Sequence, residues 1–336
     1  MDIAVFSTQP YDRRFLDEAL RHHHGDGGAV ALRYHEARLT LETAALARRC
    51  GAVCVFVNDA LDAAVLEALA AQGVRAVLLR CAGYNQLDVE AARRLGLFVA
   101  RVPSYSPEAV AEFTLALVLT LNRHTHRAYA RVREGNFALD GLLGSNLHGK
   151  TVGLVGVGQI GLAAARIFRG FGCRVLGADP APLPEFAALG ELVPLPRLLA
   201  ESDIVSLHCP LFPETRHLID AAALERMRPG AMLVNTSRGA LVDTAALVSA
   251  LKTRHLGALA IDVYEQEAEL FFQDRSSDII PDDVFQRLLT FPNVLVTGHQ
   301  GFFTIEAMRE IADATFRNLA CHLAGAPCAH RVPGTC

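Results

Sequence analysis

The chain has 336 residues, 51% hydrophobic and 20% charged, with a formal net charge of −4. That length exceeds one ordinary domain and predicts two, in a globular chain and not a disordered one. The slight acidic excess offers nothing that would drive binding to nucleic acid or to a membrane surface.

The opening stretch holds Asp2, Asp12, Arg13, Arg14, Asp17 and Glu18, so it does not read as a secretion signal. The longest apolar run, 109–121, is interrupted by Glu112 and Thr114. It falls short of the roughly 20 residues that cross a bilayer. Eight cysteines are scattered from Cys50 to Cys336. Cys50 and Cys54 lack a matching second pair, so no metal site is expected. The thiols read as free and the chain as cytoplasmic.

Strand-like runs recur at 3–6, 29–32, 52–57, 76–79 and 97–100, with helix-like runs at 11–20, 60–71 and 88–95. This alternation predicts a parallel sheet covered on both faces. His22, His23 and His24 fall in what reads as a solvated Gly-rich loop. Pro103 and Pro107 break the pattern. Ser106 then suits an N-cap, and a single long helix is expected from Pro107 to about 132. A loop with Gly135, Gly141, Gly144 and Gly149 follows.

Residues 151–155 form a buried-strand pattern, followed by Gly156, Gly158 and Gly161 and a helix-like run at 162–171. The second strand, 174–178, ends at Asp179. Strand, three glycines, helix, strand and acid are the parts of a dinucleotide-binding unit. The glycines permit a tight turn, close approach of a pyrophosphate and close helix packing, and the acid meets the adenosine ribose. Asp179 would repel the extra phosphate of NADP, so NAD is the expected cofactor. Further strands are expected at 204–207, 231–235, 258–263 and 294–297. Asp220 and Asp243 cap helices, and an amphipathic helix spans 304–323. A polar segment, 270–280, separates the last two strands.

Ligands of such sheets bind at the carboxyl ends of the strands. Arg238, Asp262, Glu267 and His299 all fall there. A guanidinium can grip a carboxylate and polarise a ketone. An imidazole can pass a proton to the ketone oxygen, and a glutamate can hold the imidazole and favour its protonated form. Hydride transfer to a 2-keto acid is the chemistry these groups suit. Singly, each has a plainer reading: Arg238 paired with Asp262, Glu267 as one acid of a surface run, His299 as a core histidine.

The motifs together resemble the D-isomer-specific 2-hydroxyacid dehydrogenases, and within them the bacterial fermentative branch that reduces pyruvate to D-lactate. The resemblance rests on Phe56-Val-Asn-Asp59, Leu79-Arg-Cys-Ala-Gly83-Tyr-Asn85, Val102-Pro-Ser-Tyr105, the glycine turn, Ser206-Leu-His-Cys-Pro210, the run from Asn235 to Asp243, Asp262-Val-Tyr-Glu265, Leu270-Phe-Phe272 and Thr297-Gly-His-Gln300. It implies Arg238, Glu267 and His299 as the catalytic group. It implies Gly156, Gly158, Gln159, Ile160, Gly161, Asp179, His208, Cys209, Pro210, Thr236, Ser237 and Asp262 as the cofactor site. The backbone of Ala82 and Gly83, with Tyr105 and Arg238, would hold the substrate, and Phe56 and Phe302 would shape a pocket for a small side chain.

The implied fold is α/β, with two doubly wound parallel-sheet domains and a cleft between them. A flavodoxin-like substrate domain would comprise 1–103 and 302–336, and a Rossmann-type NAD domain 104–301. A homo-oligomer, dimer or tetramer, is implied as well. Two positions depart from the pattern of relatives: Phe113, where His is common, and Gly301, where Ala is usual. A bulkier 2-keto acid, or an NAD-sensing corepressor on the same scaffold, are the other readings of these motifs.

Overall fold

A computed structural model describes residues 1–25 and 29–335; Cys336 lies outside them. The chain divides into two compact units, Met1–Ser106 with Phe303–Cys336, and Pro107–Phe302.

The first unit comprises β1 (Asp2–Val5), α1 (Pro10–His24), β2 (Ala31–Tyr34), β3 (Ala52–Val55), α2 (Ala63–Ala71), β4 (Ala76–Leu79), α3 (Val89–Arg94) and β5 (Phe98–Arg101). The strands are parallel, in the order β2-β1-β3-β4-β5. Asp62 and Asp88 cap α2 and α3 by accepting the Val65 and Ala91 N–H groups. The central strands β3 and β4 are buried along their whole length, as a sheet covered on both faces requires.

The second unit follows: α4 (Pro107–Arg123), α5 (Thr125–Arg133), β6 (Thr151–Val155), α6 (Gln159–Gly170), β7 (Arg174–Ala178), β8 (Glu191–Leu192), α7 (Leu195–Glu201), β9 (Ile204–Leu207), α8 (Ala221–Arg226), β10 (Ala231–Asn235), α9 (Thr244–Lys252), β11 (Leu256–Ile261), α10 (Asp283–Leu289) and β12 (Val294–Val296). Its parallel sheet has the order β12-β11-β10-β9-β6-β7-β8, with β6 at the point where the winding reverses. Leu154, Ala164, Phe168 and Phe186 fill one side, and Leu198, Leu233, Leu259 and Leu288 the other. Full burial of a side chain such as Phe168 stabilises by about 1.5–3 kcal/mol. The last helix, α11 (Ile305–Ala324), packs on α1 in the first unit.

Three expectations from sequence need correction. His22, His23 and His24 are the last turn of α1, not a loop. His23 meets Asp313 on α11 at 3.2 Å and stacks with Phe316, and these tertiary contacts extend the helix. The single long helix after Pro107 is two, because His124 has φ of +51, a left-handed conformation through which a helix cannot continue. No Gly or Pro marks that break in the sequence. Several strands are displaced by a residue or two: 29–32 becomes Ala31–Tyr34, 97–100 becomes Phe98–Arg101, and 258–263 becomes Leu256–Ile261. Asp262 therefore follows its strand and does not lie within it.

Candidate active site

The glycine turn fits a dinucleotide in its own geometry. Gly156 has φ of +93, and a Cβ there would fall 2.6 Å from the Cys209 nitrogen. A Cβ on Gly161 would fall 2.2 Å from the Gly156 carbonyl oxygen, so helix and turn touch backbone to backbone. At Gly158 the corresponding space is open within 4 Å. Gly158 also begins α6 with no side chain capping it, so Gln159, Ile160 and Gly161 offer first-turn N–H groups to phosphate. Asp179, just beyond β7, accepts the Val157 N–H at 2.7 Å and the Ala181 N–H at 2.8 Å. The carboxylate thus pins the glycine turn to the end of β7.

His208, Cys209 and Pro210 follow β9. Burial lowers the His208 imidazole to about 4, so the ring is neutral, and its Nε2 lies 2.9 Å from the Ser206 hydroxyl. Burial pushes the Cys209 thiol up to about 11, so it is no thiolate nucleophile. The Ser237 hydroxyl donates to the Cys209 carbonyl at 2.6 Å, tying this loop to the one after β10. There Thr236 is buried, with its hydroxyl 2.9 Å from that of Thr114 on α4.

Arg238 stands next in that loop. The Asn235 amide donates to its carbonyl at 2.8 Å, and its Nη1 donates to the Ser237 carbonyl at 2.7 Å. No carboxylate pairs with it among the described residues. The alternative of an Arg238–Asp262 pair is therefore not what the fold makes. Gly239 is required here: a Cβ would fall 2.1 Å from the Tyr264 carbonyl carbon. That close approach sets the β10 and β11 loops side by side.

Asp262 is buried. Its Oδ1 accepts the Thr297 hydroxyl at 2.5 Å and the Gln300 N–H at 2.9 Å, and its Oδ2 accepts the Gly301 N–H at 2.7 Å. Burial pushes its carboxyl up, against the lowering effect of those donors. The loop that Asp262 grips carries His299, whose φ is +56. His299 Nδ1 lies 2.7 Å from Glu267 Oε1, each side chain only 15% exposed. Glu267 Oε2 accepts the Tyr264 N–H at 2.9 Å, which fixes the carboxylate. Glu267 is therefore no loose surface acid, and His299 no plain core histidine. A carboxylate can only accept, so Nδ1 carries the hydrogen and Nε2 is the ring nitrogen that Glu267 does not hold. The rings of Phe272 and Phe302 lie 5.6 and 6.3 Å from the imidazole.

Among the substrate residues expected from sequence, Phe302 thus joins His299. Ala82, Gly83, Phe56 and Tyr105 lie in the first unit. Phe56 sits under the buried Arg80 guanidinium at 4.9 Å, and its N–H donates to Asp59 at 2.6 Å. Tyr105 is half-buried between β5 and α4. Sequence reasoning had not singled out Phe272, Thr297 or the Tyr264 N–H. Each stood in one of the motifs that carry the resemblance, Leu270-Phe-Phe272, Thr297-Gly-His-Gln300 and Asp262-Val-Tyr-Glu265, but without a role of its own. A cavity of about 500 Å³ lies at the opposite, amino-terminal end of β9, β10 and β11, beside Asp203, Arg228 and Gly257. None of the residues above lines it.

A dinucleotide turn sharing one sheet edge with an imidazole–carboxylate pair and an unpaired guanidinium defines a nicotinamide-dependent dehydrogenase. The model of the D-isomer specific 2-hydroxyacid dehydrogenase NAD binding domain matches residues 115–301. The chain is 59% identical over 319 residues to 2-hydroxyacid dehydrogenase A of Aspergillus oryzae, covering 95% of this chain and 91% of that one. It is 50% identical over 321 residues to D-lactate dehydrogenase of Escherichia coli, covering 95% and 96%. The solved structure of the pyruvate reductase of Chlamydomonas reinhardtii superposes with a TM-score of 0.90 at 43% identity, covering 98% of each chain. The chain belongs to the D-isomer specific 2-hydroxyacid dehydrogenase family, an NAD-dependent oxidoreductase family.

Proposed function

We propose that this enzyme reduces pyruvate to D-lactate with NADH, reversibly. The observation that carries the reading is the His299–Glu267 pair at 2.7 Å, on the same sheet edge as an Arg238 without a carboxylate partner. The Arg238 fork grips the substrate carboxylate and polarises its ketone. Backbone N–H groups of Ala82 and Gly83 in the first unit, the substrate-binding one, hold the same carboxylate, with Tyr105 beside it. Bound NADH supplies the hydride that reaches the ketone carbon. His299 Nε2 gives its proton to the ketone oxygen, and in the reverse direction takes it back from the hydroxyl. Glu267 offsets the charge on the imidazolium and fixes the tautomer of the neutral ring, with the hydrogen on Nδ1. Asp262 holds the His299 loop in place. The named activities of the relatives support pyruvate, and Phe272 and Phe302 beside His299 favour a small side chain over a bulky one.

A homo-oligomer belongs to this reading. Tyr129, Val132, Phe137, Leu139 and Leu143, on α5 and the segment after it, are all more than half exposed, an apolar stretch that a second copy would cover. Cytoplasmic residence does too, supported by the free thiols of the described cysteines. Among the described residues, no helix is long and apolar enough to cross a membrane.

The test is the rate of NADH oxidation with pyruvate, phenylpyruvate and 2-ketoisocaproate. The highest kcat/KM is expected with pyruvate. A higher value with either bulkier acid overturns the substrate, and no turnover with any of them overturns the enzyme reading.

A further inference from the structure

The turn that follows β4 is clamped by a cation from the neighbouring strand. Arg101, the last residue of β5, lies opposite Leu79 in the parallel register. Its Nη1 donates to the Ala82 carbonyl at 2.7 Å, and its guanidinium lies 5.2 Å from the centre of the Tyr84 ring. The Arg101 backbone is itself fixed on both sides. Its N–H donates to the His330 carbonyl at 3.0 Å, and its carbonyl accepts the Asn318 side-chain amide of α11 at 2.9 Å. The Asn318 carbonyl oxygen in turn lies 3.1 Å from His330 Nδ1. On the far side of the turn, the Cys81 thiol donates to the Gly83 carbonyl at 3.2 Å. The N–H groups of Ala82 and Gly83 donate to no acceptor among the described residues.

We propose that Arg101 is a positioning residue for the substrate carboxylate, acting through the Ala82–Gly83 peptide; this rests on the assignment of that turn to the carboxylate under the proposed function. The peptide unit is planar and trans, so its carbonyl and its N–H point in opposite directions. Clamping the Ala82 oxygen therefore aims the Gly83 N–H away from Arg101, as a donor with no protein acceptor. A charge-assisted bond to the carbonyl also polarises the amide and makes its N–H a stronger donor. The Cys81 bond holds the next peptide, so the Ala82–Gly83 peptide alone depends on Arg101, and losing that clamp frees its N–H to turn away. Arg101 touches no reacting atom in this scheme. It sets the direction of a donor that does.

The experiment compares Arg101→Met and Arg101→Lys with the parent, reading kcat and KM for pyruvate, the Kd of NADH and hydrogen–deuterium exchange over 81–87 with and without oxamate plus NADH. Arg101→Met keeps the length and removes the donor. Its KM for pyruvate is expected to rise at least about tenfold, with kcat changed less than about threefold and NADH affinity unmoved. Arg101→Lys restores a charged donor and should recover most of the KM. If Arg101→Met does not fold, Arg101→Gln takes its place, since its shorter amide falls short of the Ala82 carbonyl and the same rise is expected. A KM within about twofold of the parent overturns the proposal, and so does an equal loss in NADH affinity, which would mark general damage. Oxamate should slow exchange over 81–87 in the parent. If that protection is present while KM does not move, only the role of Arg101 fails. If the parent shows none, the assignment of the turn to the carboxylate fails and the role of Arg101 falls with it.

Discussion

Gly301 and Phe113 face each other: a Cβ added to Gly301 would lie 3.4 Å from the Phe113 ring. The same Cβ would lie 3.1 Å from Asp262 Oδ2, an atom already held by the Gly301 N–H. The contact with Phe113 would be ordinary packing, whereas the Asp262 carboxylate would have to shift by a few tenths of an ångström.

Gly301→Ala should therefore destabilise the protein and lower kcat, because Asp262 must yield while the Phe113 ring limits which way the new methyl group can move. Phe113→His with Gly301→Ala should cost less than the two single changes summed. A coupling of about 0.5–3 kcal/mol in a double-mutant cycle of urea denaturation is expected. Strict additivity would mean that the two sites are independent.

Arg238→Lys keeps the charge and loses the planar fork. We expect kcat/KM for pyruvate to fall at least about a hundredfold, near 3 kcal/mol, the scale of a lost charge-assisted bond. NADH affinity should stay within about twofold, because the glycine turn and Asp179 are untouched. A variant within about threefold of the parent would make Arg238 structural.

Asp179 does two things, so its replacement should do two things. Asp179→Ser should narrow the preference for NADH over NADPH, by removing the charge that repels a ribose phosphate. It should also weaken NADH binding itself, because the Val157 N–H loses its acceptor. Steady-state kinetics with both cofactors checks this; equal use of NADH and NADPH by the parent would contradict it.

His208 predicts a pH dependence of stability for the cofactor-free protein. Its ring is held neutral, down at about 4, whereas an unfolded histidine titrates near 6.5. As pH falls through that window, the unfolded chain takes up a proton that the folded chain refuses. Stability is thus full above the unfolded value and is lost as pH drops toward the folded one, at up to about 1.4 kcal/mol per pH unit. His208→Gln should flatten the fall of Tm between pH 7 and pH 4.5, read by scanning calorimetry. An unchanged slope would place the titration elsewhere.

What the sequence made legible follows from where chemistry constrains spacing. Gly156, Gly158, Gly161 and Asp179 build one turn, which close backbone contacts and the Asp179–Val157 bond hold together, so their intervals are fixed and readable. Arg238, Glu267 and His299 were readable because each follows a strand pattern, where ligands of parallel sheets bind. The supports were not. Thr297 meets Asp262 and Phe272 meets His299 only through loop conformations with no local signature, with φ at +63 for Phe272 and +56 for His299. The break at His124 and the helical His22–His24 turn were hidden likewise, since tertiary contacts there override local preference.

In the proposed mechanism His299 and Glu267 act as one proton-handling unit. Its most direct measurement is kcat/KM against pH, for pyruvate reduction and for D-lactate oxidation, in the parent and in Glu267→Gln. The substitution keeps the shape and removes the negative charge 2.7 Å from Nδ1. Reduction needs a proton on the ring and oxidation needs the ring bare, and the apparent transitions belong to the pair. Without the carboxylate, the loss of reduction with rising pH should begin at lower pH, and oxidation should become available at lower pH by the same interval. A reduction limb that stays in place, or moves to higher pH, would contradict the pairing and remove Glu267 from the mechanism.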